Sequence, residues 1–379
     1  MRNMLKVTLV FVMLLTTVFA QAKITGDVRV RPRMDVTTAD AETDAVTKNY
    51  VLYWGRLNVD ADIGGGWSFH SKLATNFVGH WSGYWGENTQ VGAEMVHGFV
   101  DRPAISWMEI SMGKNAGNWG FKAGNLPLNG VANHIVDLHY YPTAPVDIPW
   151  AIYHSQSFQG INGFVNAGPG KLNFALAVDE NLNKSAVPAV DAVNGWVDDD
   201  DDNSTPDIWG VVTEAVDAVP AGDGLVNTKT LIADYGATFG GITVKPQMAM
   251  TMANEGTAAP MTMGAGVSGK FGGYTPSLTF LTTSNSEGSK YDGTHMRVGI
   301  KGSVGPGFLL AWYDMASYTP DGGTKADFTH LWLLYKHTLY SGDKGAMVVM
   351  PTIRLINGSA SDPDWSRTKL ELTFQLNFK

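Results

Sequence analysis

The 379-residue sequence contains no cysteine. This absence excludes disulfide scaffolds, thiolate metal sites, cysteine nucleophiles and lipid attachment at an N-terminal cysteine. Charged residues are sparse, at 17% of the chain. Beyond the N-terminus, no apolar run approaches the roughly 20 residues that a membrane-spanning helix needs. The nearest candidates are 308–313 and 331–335.

Sequence signatures of enzymes are also missing. We find no G-x-S-x-G, no H-E-x-x-H and no P-loop. Gly264, Gly266 and Gly269 do satisfy G-x-G-x-x-G, but they lie within an alternating segment with no following helix, so we interpret the match as accidental. The nine histidines are scattered. We therefore predict a protein that is not an enzyme and binds no cofactor.

The N-terminus has the organisation of a secretory signal peptide. A start with two basic residues is followed by an apolar stretch at 7–19 and a small-x-small pattern at 20–22. We predict a signal peptide over 1–22 and a single mature domain over 23–379. A signal peptide alone would equally suit a soluble exported protein.

The composition and the alternation of side chains favour β-structure. The chain has 43 glycines, 12 tryptophans, 13 tyrosines and 16 phenylalanines, and aromatic residues are enriched in strands. The last twelve residues, TKLELTFQLNFK, alternate apolar with polar, as expected of a strand with one apolar and one wet face. About sixteen segments alternate in this way: 24–34, 50–63, 66–77, 104–112, 117–124, 156–167, 170–180, 226–239, 241–253, 260–271, 274–284, 293–303, 307–318, 326–340, 345–357 and 366–378.

The connections between these segments alternate between short and long. After every second segment comes a tight glycine-rich turn such as GGG, AGPGK or VGPG, and the others are longer. This predicts an all-β fold: a transmembrane antiparallel β-barrel of about 16 strands, with short periplasmic turns and long external loops. The third loop would cover 125–155 and the fourth 181–224. Pro246, Pro276 and Pro351 count against this assignment, because central strands rarely contain proline.

The chain resembles the porins of Gram-negative bacteria over its whole predicted mature length. The resemblance rests on the opening strand GDVRVRPR, on FKAGNLPLNG before the long third loop, and on a closing strand with an aromatic residue, Phe378, near its end. It implies a homotrimer in the outer membrane, in contact with lipid and lipopolysaccharide. It also implies recognition of the Phe378 strand by the barrel-assembly machinery, and a third loop that narrows the channel.

The polar face of the predicted strands is basic. Its predicted pore-lining cations are Arg29, Arg31, Arg33, Arg56, Lys72, Lys122, Lys245, Lys270, Arg297, Lys301, Arg354 and Lys369. The carboxylates on the same face are Asp27, Asp60, Asp62, Asp234 and Glu371. Cationic rings concentrate anions in a pore, which predicts a mild anion preference. Alternatively, these charges serve only to pair across strands and hydrate the wall.

The fourth loop is strongly acidic, with ten carboxylates against one lysine. Asp198, Asp200 and Asp202 are weak candidates for a metal site, since hard cations take carboxylate oxygens, but the spaced frame of a calcium loop is missing. A solvated acidic loop without metal is the prediction, and divalent bridging to lipopolysaccharide phosphates is an alternative. The segment 205–219 is predicted to include a short capped helix.

Aromatic residues of the third loop could provide a stacking path for sugars. They are Tyr140, Tyr141, Trp150 and Tyr153. The alternative is that these rings pack loops together or lie at subunit contacts.

These observations predict a porin that lets small hydrophilic solutes or ions diffuse through a water-filled channel. A sugar-preferring specific porin is one alternative, and a closed barrel acting as an adhesin or receptor through its acidic loop is another. The formal net charge is −9, and we expect no nucleic-acid partner.

Overall fold

The structure is a computed structural model. It describes residues 22–38, 45–75, 83–86, 105–127, 131, 133–138, 157–178, 193–197, 208–213, 229–252, 261–284, 291–320, 325–359 and 365–379.

This part of the chain consists almost entirely of strands. They are β1 Ala22–Thr38, β2 Val46–Gly64, β3 Trp67–Thr75, β4 Gly83–Gly86, β5 Ile105–Asn115, β6 Trp119–Pro127, β7 Ser157–Ala167, β8 Gly170–Ala177, β9 Val193–Val197, β10 Ile208–Thr213, β11 Lys229–Phe239, β12 Ile242–Met252, β13 Met261–Gly269, β14 Tyr274–Ser284, β15 Tyr291–Val304, β16 Gly307–Pro320, β17 Ala326–Gly342, β18 Gly345–Gly358 and β19 Trp365–Phe378. One short helix, α1, covers His134–Leu138.

Seventeen of these strands form one closed antiparallel sheet. Strand β1 pairs with both β2 and β19, and β8 pairs with β11, so no edge is left open. Strands β3 and β4 pair with different halves of β2 and therefore share one position in the wall. The barrel thus has sixteen wall positions, and the predicted number of strands is confirmed.

The short connections lie at one rim of the barrel. They join β2 to β3, β5 to β6, β7 to β8, β11 to β12, β13 to β14, β15 to β16 and β17 to β18, as predicted. In the turn between β11 and β12, Gly240 and Gly241 have φ of 56° and 85°. Positive φ is the reason that glycine occupies so tight a turn.

Three prolines in central strands sit where the backbone ladder is interrupted. The β11–β12 ladder lacks two pairs beside Pro246, and the β17–β18 ladder lacks two pairs beside Pro351. Pro276 lies one position beyond the last pair of the β13–β14 ladder. Because proline has no N–H to donate, each strand accommodates it beside a gap in the ladder. The prolines are therefore compatible with the barrel.

The two faces of the wall differ as the alternation predicted. Large apolar side chains are exposed on the outward face, for example Leu278 at 47% and Val298 at 48%. Polar side chains such as Gln247 and Thr262 are buried on the inward face. An outward aromatic girdle follows the rim of short turns and includes Trp67, Trp119, Phe239, Tyr274 and Phe378. Apolar outer faces with aromatic girdles are the pattern of membrane barrels.

The fourth loop differs from its prediction in one element. Strands β9 and β10 form a hairpin, so the helix predicted at 205–219 is wrong over 208–213. The sequence IWGVVT is rich in β-branched and aromatic residues, which favour a strand, and pairing with VNGWV supplies the partner that a strand requires.

Several predictions fall outside the described residues. They concern the signal peptide up to residue 21, the aromatic residues Tyr140, Tyr141, Trp150 and Tyr153, and the carboxylates Asp198, Asp200 and Asp202.

Candidate functional site

The interior of the barrel wall is the candidate site. Strand register places eleven of the twelve predicted cations on the inward face, and Lys270 lies after the end of β13. Lys122 and Lys301 are exposed there. Their role in lining a conducting pore stays a prediction.

A basic wall occupies four neighbouring strands, β18, β19, β1 and β2. It consists of Arg29, Arg31, Arg33, Arg56, Arg354, Arg367 and Lys369. Three carboxylates lie among these side chains. Glu371 contacts three of the arginines, Asp27 contacts two and Asp35 contacts one. Seven cations against three carboxylates leave the basic wall with an excess of four positive charges.

Glu371 is the centre of the largest of these ion-pair groups. Its carboxylate lies 3.4 Å from Arg31 Nη1 and 3.0 Å from Arg354 Nη2, and it also contacts Arg33. The Glu371 side chain has no exposed surface. Burial of a carboxylate is tolerated because three guanidiniums compensate its charge.

Aromatic rings on the inward face hold several of the guanidiniums. Arg354 lies 3.8 Å from the ring centre of Trp332, and Arg297 lies 4.7 Å from that of Trp312. The centres of these two indole rings lie 4.6 Å apart. A guanidinium over an indole is attracted by the negative face of the ring, so these contacts restrict the rotamers of the arginines.

A second ion-pair group lies on β15, β16 and β17, beside the basic wall. Asp314 accepts hydrogen bonds from Arg297, and His295 Nε2 lies 3.0 Å from its Oδ1. His330 Nδ1 lies 3.5 Å from its Oδ2. Asp314 and both imidazoles are fully buried. This group fixes three neighbouring strands to one another.

Other predicted cations are compensated on the inner wall. Lys72 contacts Glu109, and the Glu109 carboxylate also accepts a hydrogen bond from His70 Nε2 at 3.0 Å. Lys245 lies 3.2 Å from Asp234. Lys72 and Lys245 therefore agree with the alternative that the inward charges serve only to pair across strands. Pairing does not account for the basic wall, where the cations outnumber the carboxylates.

The third loop packs against the opposite half of the interior. Its residues Val131, Ile135 and Val136 belong to a buried apolar cluster. We call the wall part of this cluster the loop seat: Leu126, Phe158, Ala175, Ala177, Ile232, Ala249 and Leu281. These residues come from six strands, β6, β7, β8, β11, β12 and β14, that lie across the barrel from β1.

Polar contacts anchor the same segment. His134 N donates to Gln247 Oε1 at 2.9 Å, and Asn133 Nδ2 donates to Ala233 O at 3.3 Å. Asn133 Oδ1 accepts from Ile135 N and so caps the short helix. The ring of His134 lies 5.7 Å from that of His295.

The described part of the third loop, residues 131 and 133–138, lies inside the barrel. It contacts β11, β12 and β15 from the wet face, and that face lines the concave side of the wall. His134 is thereby enclosed. Burial lowers the pKa of His134 well below its usual value of 6.5, and the positive charge of Arg297 acts in the same direction.

Sequence reasoning missed part of this site. It did not include Asp35, Glu109, Asp314 and Arg367 among the inward charges, nor the inward tryptophans, nor the loop seat. Arg367 lies two positions before Lys369 on the same strand, so strand alternation places both on the inward face and would have predicted Arg367. The loop seat had a signal as well, since small apolar residues such as Ala175 and Ala249 occupy positions of polar parity.

The described residues contain neither a membrane-spanning helix nor a cluster of metal-binding side chains. No helix in these ranges is long and apolar enough to cross a membrane. No group of three or more histidines or carboxylates there is arranged to hold a metal ion.

Comparison with solved structures shows a porin-like fold. An anion-selective porin from Comamonas acidovorans aligns with a TM-score of 0.54 at 14% identity, covering 94% of this chain and 99% of that one. A loop L8 deletion mutant of OmpT, an outer membrane protein of Vibrio cholerae, aligns at 0.50 and 9%, covering 94% and 99%. OmpF of Salmonella typhi, in complex with daunomycin, aligns at 0.50 and 8%, covering 93% and 97%. Neither a family model nor a curated protein matches the sequence.

Proposed function

We propose that this protein is a non-enzymatic outer-membrane porin, a water-filled channel for small hydrophilic solutes with a mild preference for anions. The observation that carries the proposal is the basic wall, which faces the third loop across the interior. Barrels of about sixteen strands are too wide for side chains to fill, so an aqueous lumen remains.

The geometry supports a route between the two halves of the interior. The loop seat covers one half with apolar contacts, whereas the basic wall on β18, β19, β1 and β2 has no counterpart of the loop seat among the described residues. Buried ion pairs and contacts with indole rings hold the arginines of the basic wall in place, and the wall keeps its excess of four positive charges. Fixed positive charge on the wall of a pore raises the local anion concentration.

The export and assembly of the chain are part of the proposal. The N-terminal segment 1–22 acts as a signal peptide, and the outward apolar face with its aromatic girdle contacts outer-membrane lipid. The barrel-assembly machinery recognises the closing strand β19 with its outward Phe378. The channel assembles as a homotrimer, and chemical cross-linking followed by heat-modifiable gel mobility would measure this state.

Single-channel recording in planar bilayers tests the channel directly. The purified mature protein should give discrete current steps, and a potassium chloride gradient should give a reversal potential on the anion side. Steps with a cation-side reversal potential would contradict the anion preference and retain the channel. Folded, heat-modifiable protein that gives no steps would overturn the porin and favour the adhesin or receptor.

A charge-removal series links the preference to the basic wall. Arg354→Gln and Arg31→Gln each remove one cation near Glu371, and each should move the reversal potential towards the cation side. Lys336→Gln removes a cation at the rim of short turns, outside the basic wall, and serves as the matched control. Equal shifts for all three variants would mean that overall charge, and not the basic wall, sets the preference.

A further inference from the structure

Two of the three more accessible arginines on the basic wall, Arg29 and Arg56, share a single carboxylate. Arg56 donates to Asp27 Oδ2 from Nε at 2.9 Å and from Nη2 at 2.6 Å. Arg29 approaches Asp27 Oδ1 through Nε, at 3.5 Å. The side chains of Arg29 and Arg56 are 22% and 25% exposed, against 11% for Arg31, Arg33 and Arg354. Arg367 is 23% exposed, but it has Asp35 to itself among the contacts of the basic wall.

Trp54 fixes this pair in place. Its Nε1 donates to Asp27 Oδ1 at 2.7 Å. Arg29 lies 4.1 Å and Arg56 lies 4.4 Å from the centre of its ring system. The indole therefore contacts both guanidiniums and their shared carboxylate, and it restricts two long side chains that would otherwise sample many rotamers.

The donors of the pair exceed the acceptors that the wall offers. Asp27 carries one negative charge against two cations, so the group has an excess of one positive charge. Among the described residues, the contact of Arg29 with Asp27 is made through Nε, which leaves both of its Nη groups for another acceptor. Guanidinium groups bind carboxylates through two parallel N–H···O bonds.

We propose that Arg29 and Arg56, positioned by Trp54 and Asp27, form a binding subsite for small monocarboxylates inside the channel. The proposal rests on the proposed function, because the ligand must enter the lumen. The excess of one charge matches a monoanion. The planar fork of Arg29 matches the two oxygens of a carboxylate better than it matches a chloride ion.

Conductance in potassium acetate tests the subsite, with acetate as the probe. In the wild-type protein the single-channel conductance should saturate as the acetate concentration rises, whereas in potassium chloride it should rise further before levelling. Arg29→Gln leaves Asp27 paired with Arg56 and Trp54, and it should raise the half-saturating acetate concentration about tenfold. Lys336→Gln also removes one exposed cation, at the rim of short turns and outside the basic wall, and should leave this concentration unchanged.

Substitution of Trp54 separates positioning from charge. Trp54→Leu removes the ring and its hydrogen bond but no charge, so it should weaken acetate saturation while the reversal potential in potassium chloride stays at the wild-type value. Trp54→Phe retains an aromatic ring, so its half-saturating acetate concentration should lie between those of the wild type and Trp54→Leu. Heat-modifiable gel mobility would show whether Trp54→Leu folds, and Trp54→Phe replaces it in the test if it does not.

Three results would overturn the subsite. They are a wild-type conductance that is linear in acetate, equal effects of Arg29→Gln and Lys336→Gln, and wild-type saturation in both Trp54 variants. Folded protein without current steps would overturn the proposed function and the subsite together. Current steps without acetate saturation would overturn the subsite alone.

Discussion

Arg297 and Asp314 face each other across β15 and β16 and form a two-point ion pair. Arg297 Nε lies 2.5 Å from Asp314 Oδ1, and Nη2 lies 2.9 Å from Oδ2. The Asp314 side chain is fully buried and that of Arg297 is 8% exposed. The pair therefore joins two strands of the wall at a point that water does not reach.

Removing one partner of this pair should destabilise the barrel strongly. Arg297→Met leaves the buried Asp314 carboxylate without its main compensating charge, so we expect the free energy of unfolding to fall by about 3–5 kcal/mol. Denaturant unfolding of reconstituted protein, followed by tryptophan fluorescence, would measure the change. Combining Arg297→Met with Asp314→Leu should restore part of the loss. A double variant as unstable as the sum of both single variants would contradict this coupling.

Neighbouring residues on the two faces of β8 should differ in how much they tolerate substitution by arginine. Leu172 is outward and 38% exposed, and it lies level with the girdle residue Trp119, so Leu172→Arg places a charge at the edge of the apolar band and should cost about 1 kcal/mol. Asn173 is inward, and its Nδ2 donates to Asp234 at 2.8 Å. Asn173→Arg would meet that carboxylate and should cost much less. Folding yield in lipid vesicles compares them, and equal losses would argue against the assigned facing.

The fold could be predicted from the sequence because its main signal is local. Alternation within ten residues identifies a strand and its wet face, and the length of each connection identifies its rim. These two patterns predicted the sixteen wall positions. They do not reveal contacts that depend on closure, such as the hydrogen bond from Arg31 Nε to Thr373 Oγ1, 342 positions away, at 2.6 Å.

The candidate site was predicted less completely, for the same physical reason. Each cation could be assigned to a face, but its partner depends on register between strands. Arg367 and Asp35 meet only because β19 pairs with β1. The loop seat likewise requires six strands to be in place before Ala175 and Ala249 form one apolar surface. The helix predicted at 205–219 is wrong over 208–213 because those residues pair with 193–197, a partner that the local sequence of 205–219 does not reveal.

A charge at Ile135, which packs against the loop seat, should release the third loop from the wall. Ile135 is fully buried in the apolar cluster, so Ile135→Asp should destabilise the seated loop by at least about 2 kcal/mol. A released loop no longer occupies its half of the lumen, and the single-channel conductance should rise and become noisier. Ile135→Val retains the apolar contact and should conduct like the wild type. Unchanged conductance in Ile135→Asp would mean that the segment does not narrow the channel.

The seating of the third loop should weaken below neutral pH through His134. This imidazole lies near Arg297, His295, Asp314 and Lys245, and burial is the main cause that lowers its pKa well below 6.5 when the loop is seated. A released His134 would titrate near 6.5, so the released state binds more protons. The stabilisation of the seated loop is therefore fully present above pH 6.5. As the pH falls below 6.5, this stabilisation decreases by at most about 1.4 kcal/mol per pH unit.

Single-channel noise between pH 8 and pH 5 would measure this loss. The wild-type channel should become noisier as the pH falls below 6.5, and His134→Gln should remove that part of the pH dependence, since glutamine does not titrate. His337→Gln removes an imidazole near the rim of short turns, away from the third loop, and should keep the wild-type profile. If His134→Gln and the wild type share one pH profile, the responsible group lies elsewhere, and the buried imidazoles beside Asp314 become the next residues to substitute.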